Sequence, residues 1–325
     1  MRPMLPLTTS DLCGLWVPII TPFTEAGPLD EASLAGLAGR LLDDGATGLV
    51  PLGTTGEPAT LSPEERHRVV AVCAQVAGAV GRPVIAGAGS NDTAGTVGEA
   101  RRLGAIDGVG AVLVVVPYYT RPSGPAVVEH LELVADRSPV PVVAYNIPYR
   151  TGAGTGLDAG AIGRLARHPN VIGVKQAVGG VDLDTLQLLA EPAGDFALLA
   201  GDDAFIAPTV LLGGAGAIAA AAHLCTTRFA SLVAAARAGD VATTRSLAGE
   251  LLPVVRAGFA EPSPAVWKGA LHRLGLIAHG GLRRPLTGAS PRAVDRLLAA
   301  AAVATRQAGG PTPEDEVGAA DDDHR

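Results

Sequence analysis

The chain has 325 residues, a length that fits one large domain or a domain with an appendage. Its 25 basic residues against 32 acidic ones give a formal charge of -7, which leaves no electrostatic case for binding nucleic acid or an anionic membrane. Hydrophobic residues at 48% and charged residues at 18% exclude global disorder and supply a sizeable core.

Glycine and proline together make up about a fifth of the chain, below the low-complexity range, and point to many tight turns. Cys13, Cys73 and Cys225 lie far apart with no CxxC and no Cys/His ligand spacing. Neither a disulfide framework nor a zinc site is expected, and a reducing cytoplasm fits. Residues 1–12 lack the basic and apolar regions of a signal peptide. The longest apolar run, 206–223, is broken by Pro208 and several glycines, so no membrane span is expected.

The predicted elements begin with a strand at 15–19 and a helix at 29–42, whose apolar residues recur at three- and four-residue spacing. A strand at 48–51 follows. Ser62-Pro63-Glu64-Glu65 then reads as a helix start, with serine at the N-cap, proline at the first position and glutamate three residues on. Strands at 84–88, 111–116, 142–145, 171–174, 196–200 and 215–219 alternate with helices at 93–103, 126–136, 158–166, 182–190 and 205–212. The strands are rich in Val, Ile and Ala without polar alternation, as strands buried on both faces of a parallel sheet are.

Eight strands, with a helix after each of the first seven, predict an α/β fold of the (β/α)8 (TIM) barrel type. A doubly wound sheet is the rival, but no GxGxxG joins the first strand to the first helix. Strand signals stop after residue 222, and 228–238, 241–257, 263–274 and 292–306 read as helices. The expected organisation is a barrel over 1–222 with a short N-terminal arm, its last helix from 223–240, and an additional C-terminal helical bundle over 241–308. An acidic tail over 309–325 is expected to be disordered.

Barrels of this kind carry their sites at the C-terminal ends of the strands. After the second strand comes Gly53-Thr54-Thr55-Gly56-Glu57, either a plain βα turn or a cradle of N–H groups and hydroxyls for a carboxylate. All four tyrosines fall at the ends of strands four and five, in Pro117-Tyr118-Tyr119-Thr120-Arg121-Pro122 and Tyr145-Asn146-Ile147-Pro148-Tyr149-Arg150. Such phenols either pack as core or relay protons inside a cavity. Only two of the 25 basic residues are lysines, Lys175 and Lys268. Lys175 ends the sixth strand, where burial favours a neutral, nucleophilic amine over a rim ion pair. Lys268 lies in a late helix, and a surface role is expected for it.

These motifs occur together in one order, joined by Gly173-Val174-Lys175, Gly201-Asp202-Asp203 and Glu261-Pro262-Ser263-Pro264. On them the chain resembles the dihydrodipicolinate synthase / N-acetylneuraminate lyase family of class I pyruvate aldolases. The resemblance implies a Schiff base between Lys175 and pyruvate. It makes Tyr145 the adjacent proton donor and acceptor, and Thr55 with Tyr119 the rest of a relay. Thr54 and Thr55 would hold the pyruvate carboxylate, Gly201 and Ile218 would line the pocket, and Tyr118 would reach across a tight dimer. Arg150 would bind the carboxylate of the second substrate, aspartate semialdehyde, in a reaction leading to diaminopimelate and lysine. Neither a cofactor nor a metal is implied, and the expected assembly is a homodimer or homotetramer. The alternative is a sugar-acid aldolase of the same family, of the N-acetylneuraminate or 2-keto-3-deoxygluconate type.

Two residues depart from the family pattern: Gln176, where an acid is common, and the plain run Ala219-Ala220-Ala221-Ala222. Relatives that lysine inhibits commonly carry a histidine at the position of Arg66 and a glutamate at that of Gly95. The resemblance therefore implies weak inhibition or none, unless Glu64, Glu65 or Glu99 accepts the ligand's ammonium.

Overall fold

The computed structural model describes residues 6–152, 156–191 and 194–306, so the expected tail at 309–325 lies outside the described residues. The strands are β1 (Gly14–Val17), β2 (Gly48–Leu49), β3 (Val84–Gly87), β4 (Val109–Val115), β5 (Val142–Asn146), β6 (Val171–Gln176), β7 (Ala197–Ala200) and β8 (Gly216–Ile218). Each pairs in parallel with its successor, and β8 returns to β1 to close the barrel. The helices that follow the first three strands are α1 (Glu31–Asp43), α2 (Pro63–Ala79) and α3 (Thr93–Gly104), and α4 (Gly124–Arg137) follows β4. One short turn of helix, α5 (Pro148–Thr151), precedes α6 (Ala159–Leu165). Helices α7 (Leu183–Ala190), α8 (Ile206–Leu211) and α9 (Thr226–Arg237) complete the ring, and α10 (Val241–Gly258), α11 (Ala265–Arg273) and α12 (Pro291–Arg306) follow it.

Side chains along each strand point alternately inward and outward, and this makes two cores. Val142 and Ala144 of β5 join the layer between sheet and helices, while Val143 and Tyr145 point into the barrel. The lower end of the interior is filled by Leu7, Leu12 and Trp16, and the Trp16 indole N–H donates to the Leu12 carbonyl at 2.9 Å. Gly173 is required by this packing, because a Cβ there would meet the Ala197 carbonyl oxygen at 2.6 Å and the Leu12 side chain at 2.9 Å. With that end closed, only the C-terminal end of the barrel is left to hold a ligand.

The helix starts follow from the sequence. Ser62 accepts from the Glu65 N–H and Glu65 accepts from the Ser62 N–H, the reciprocal cap expected from the Ser-Pro-Glu-Glu run. Asp30, Asp92, Asp158, Asp182 and Asp240 cap α1, α3, α6, α7 and α10, each taking an N–H three residues on. The apolar run at 206–223 is divided among α8, β8 and a 3-10 turn at Ala220–His223. Among the described residues, no helix is long and apolar enough to cross a membrane. In the C-terminal region α10 packs on α8, α9 and α12, and α11 packs on α12. An edge-on contact of 5.4 Å between Phe259 and Trp267 ties the end of α10 to α11.

Candidate active site

Strands β5 and β6 pair so that Tyr145 and Lys175 are direct neighbours, both facing the barrel interior. The Lys175 Nζ lies 4.3 Å from the centre of the Tyr145 ring. Beside them opens a cavity of about 270 Å³. Its walls carry seven of the residues expected from the sequence: Thr54, Thr55, Tyr145, Arg150, Lys175, Gly201 and Ile218. They arrive on five different strand ends, which a sequence reading along one strand cannot join.

Local structure explains each placement. Thr54 and Thr55 form a 3-10 turn at Thr54–Gly56, in the loop after β2, flanked by Leu52 and Glu57 at positive φ. Arg150 stands on α5, one turn after the end of β5. Gly201 follows β7 at a close approach, where a Cβ would meet the Ala177 side chain at 2.8 Å and the Gln176 carbonyl at 2.9 Å. Ile218 is the inward residue at the end of β8.

Burial sets the electrostatics. It disfavours the charged amine and pulls Lys175 down to about 8, against the pull of Asp203, the strongest opposing charge. The same burial pushes the Tyr145 phenol up to about 12, with Thr54 opposing through a hydrogen bond. Tyr145 therefore stays protonated and available as a donor. Asp203 is pushed up to about 6 by burial, while the Ala221 N–H, donating to it at 2.6 Å, favours its charged form. Asp202 is raised by burial as well and accepts from the Gly179 N–H at 2.7 Å. An amine partly free of its proton, a protonated phenol and two acids face one small space. That arrangement suits addition of the amine to a carbonyl.

Sequence reasoning gave no role to several of these groups. Asp202 and Asp203 line the cavity, and two adjacent acids at the end of a buried strand were a signal of the same kind as Lys175. Tyr149 also lines it, as do Val255, Phe259 and Ser263 from α10 and the segment before α11. No period or motif in the strands announces those last three, because they come from the helices added after the barrel.

Both members of the Tyr118–Tyr119 pair lie outside this cavity. Tyr118 lines a second one of about 440 Å³, which shares Thr54, Tyr145 and Arg150 with the first. Tyr119 is 89% exposed at a positive φ and lines neither. Gln176 faces the helix layer, where its amide accepts from Asn146 at 3.0 Å and donates to Thr185 at 3.1 Å, so the departure there does not alter the cavity wall.

Lys268 corrects an expectation. It is not on the surface but fully buried, with its Nζ 2.8 Å from Glu57 and 2.9 Å from the Thr21 carbonyl. The first turns of α11 are covered by neighbours, which bury Val266, Trp267, Ala270 and Leu271 along with it.

A family model described as "Dihydrodipicolinate synthetase family" matches residues 11–303. The 4-hydroxy-tetrahydrodipicolinate synthase of Moorella thermoacetica is 40% identical over 284 residues, covering 87% of this chain and 94% of the relative. Among solved structures, the 4-hydroxy-tetrahydrodipicolinate synthase from Methylacidiphilum fumariolicum SolV superposes with a TM-score of 0.86 at 32% identity, over 92% of this chain and 97% of that one. The dihydrodipicolinate synthase from Cyanidioschyzon merolae, solved with lysine bound, gives 0.85 at 29% identity over 90% and 98%.

Proposed function

The chain belongs to the dihydrodipicolinate synthetase family, and on that premise we propose that it condenses pyruvate with L-aspartate 4-semialdehyde to 4-hydroxy-tetrahydrodipicolinate. It is a lyase of the diaminopimelate and lysine route, and its relatives are named 4-hydroxy-tetrahydrodipicolinate synthase. The observation that carries the reading is Lys175: a buried amine, held near pH 8, against a protonated phenol in a cavity with two threonine hydroxyls and an arginine.

The neutral Lys175 amine adds to the C2 carbonyl of pyruvate while Thr54 and Thr55 hold its carboxylate. Tyr145 gives a proton to the departing oxygen, and water leaves to form the iminium. The cationic nitrogen draws electrons from C3, so a methyl proton is lost and an enamine forms. Its carbon attacks the aldehyde, whose oxygen takes a proton. Arg150 holds the carboxylate of this second substrate through charge-assisted hydrogen bonds. The amino group of the semialdehyde then attacks the iminium carbon, closes the ring and frees Lys175. One water is released in all.

Tyr119 enters this relay only from another copy of the chain, with Tyr118 at the same interface, so the active species is a homodimer or a pair of dimers in the cytoplasm. The exposure of Tyr119 on the single chain supports this reading. Borohydride reduction in the presence of pyruvate, with the adduct located by mass spectrometry, tests the nucleophile. A coupled assay with a panel of aldehydes tests the second substrate. Faster turnover of a sugar-acid product than of aspartate semialdehyde would overturn the assignment.

A further inference from the structure

Lys268 and Glu57 stand 211 residues apart in sequence, yet both side chains are 0% exposed and their charged atoms are 2.8 Å apart. Glu57 closes the Thr54–Gly56 turn in the left-handed region, at φ 54, which a residue with a Cβ seldom adopts without support. Its second carboxylate oxygen accepts the Arg283 backbone N–H at 3.1 Å. Lys268 spends its other contacts on the Thr21 carbonyl at 2.9 Å and on the face of Phe23 at 4.3 Å. Thr21 returns to the same turn by donating its hydroxyl to the Gly56 carbonyl at 2.7 Å. Arg283 also lies over the Phe23 ring, at 4.3 Å, and forks onto Glu65 at 2.5 and 2.6 Å. The turn that carries the Thr54 and Thr55 hydroxyls is thus fastened by charges carried on α11 and the segment beyond it.

A buried ion pair is weak evidence for stability, since well-packed apolar residues often serve as well. What it does supply is geometry: one ammonium among three acceptors fixes where the turn sits. We propose that the Lys268–Glu57 pair is a positioning device that sets the Thr54–Thr55 turn against Tyr145 and the pyruvate carboxylate. This rests on the functional reading above, in which those threonines and Tyr145 act on pyruvate. Neither Lys268 nor Glu57 touches the substrate.

The test is kinetics counted per active site. Borohydride trapping with pyruvate titrates the competent sites, because Lys175 itself is untouched. The double variant Glu57→Gln with Lys268→Met removes both charges together and leaves no buried charge unpaired. Its rate per trapped site is expected to fall about 10- to 100-fold, with a raised pyruvate KM, as misplacement near 1 Å does. Thr21→Val, a milder change at the same turn, is expected to raise the pyruvate KM about 3-fold or more. A merely structural role would lower the thermal midpoint or the number of trapped sites and leave the kinetics of each site alone. Unchanged per-site kinetics in either folded variant overturns the proposal. Absence of any adduct in the unmodified protein would instead overturn the functional reading.

Discussion

The pH dependence of pyruvate addition follows from two buried groups that line the same cavity. Lys175 is pulled from 10.5 to about 8, and the strongest charge opposing that pull is Asp203. The fall corresponds to about 3 kcal/mol in favour of the neutral amine. The rate of adduct formation is therefore expected to rise with pH and level off above about 8, as the amine loses its proton. Asp203→Asn removes the opposing charge while its side-chain oxygen can still accept the Ala221 N–H. A negative neighbour stabilises the ammonium, so its loss lowers the lysine pKa and moves the acid limb to lower pH, by about 0.5–1 unit. At pH 7 the neutral fraction would rise from about 10% to about 25–50%, and the initial trapping rate by about 2.5- to 5-fold. Borohydride quenching at timed intervals, across a pH series, measures it. A limb that moves upward, or stays where it was, would refute the assignment of that limb to Lys175 beside Asp203.

Lys175→Arg is expected to abolish the borohydride adduct in a folded protein, since a guanidinium keeps its proton, and an adduct found on Lys268 would contradict the mechanism. Arg150→Ala is expected to cost about 10- to 150-fold in kcat/KM for aspartate semialdehyde and to spare pyruvate trapping, whereas equal loss in both half-reactions would make Arg150 structural. His223 is buried with Nε2 accepting the Ile20 N–H and Nδ1 on the Ala220 carbonyl, and burial pulls it down to about 4. It stays neutral when folded but protonates near 6.5 when unfolded, so about 3 kcal/mol of stability is lost as pH falls from 6.5 towards 4; His223→Gln should flatten that stretch of the thermal midpoint against pH. Lysine is expected to inhibit weakly or not at all, because Glu65 is held by Arg283, Glu99 by Arg102, and Glu64 accepts from Ser62. Half-inhibition at sub-millimolar lysine in the forward assay would contradict this.

The barrel was legible because burial on both faces leaves a plain mark: eight runs of Val, Ile and Ala, each closed by a turn. Their ends were less so. β2 is only two residues long, against the four expected, because the chain turns at Pro51-Leu52, with Leu52 at positive φ, ahead of the turn bearing Thr54. α5 was missed altogether, since a four-residue helix starting at Pro148 has too few residues to show a period. At the site, seven of the residues read from strand ends came together, since the sheet itself aligns strand ends, while Tyr118 and Tyr119 lie outside that cavity. What the sequence withheld was whatever depends on a second body. Val255, Phe259 and Ser263 reach the cavity only because α10 and α11 fold back over the barrel, and Tyr119, 89% exposed, lines neither cavity at the strand ends.

The two lysines mark the limit of that reading. In a chain whose other basic residues are all arginine, each lysine stands where an arginine would fail. At the end of β6 the requirement is chemical, because the side chain must give up its proton to attack a carbonyl. At position 268 it is geometric, because a compact ammonium meets the Glu57 carboxylate, the Thr21 carbonyl and the Phe23 face at full burial, where a planar fork has no room. Helical position suggested a surface residue, but the local sequence argued otherwise. Lys268 sits in Ala265-Val266-Trp267-Lys268-Gly269-Ala270-Leu271, a run with no other polar side chain and hence no wet face. A stretch of helix that is apolar all round is buried all round, and a charge within it must have a buried partner. An acid was therefore owed to Lys268, and Glu57, which ends a turn otherwise made of glycine and threonine, supplies it.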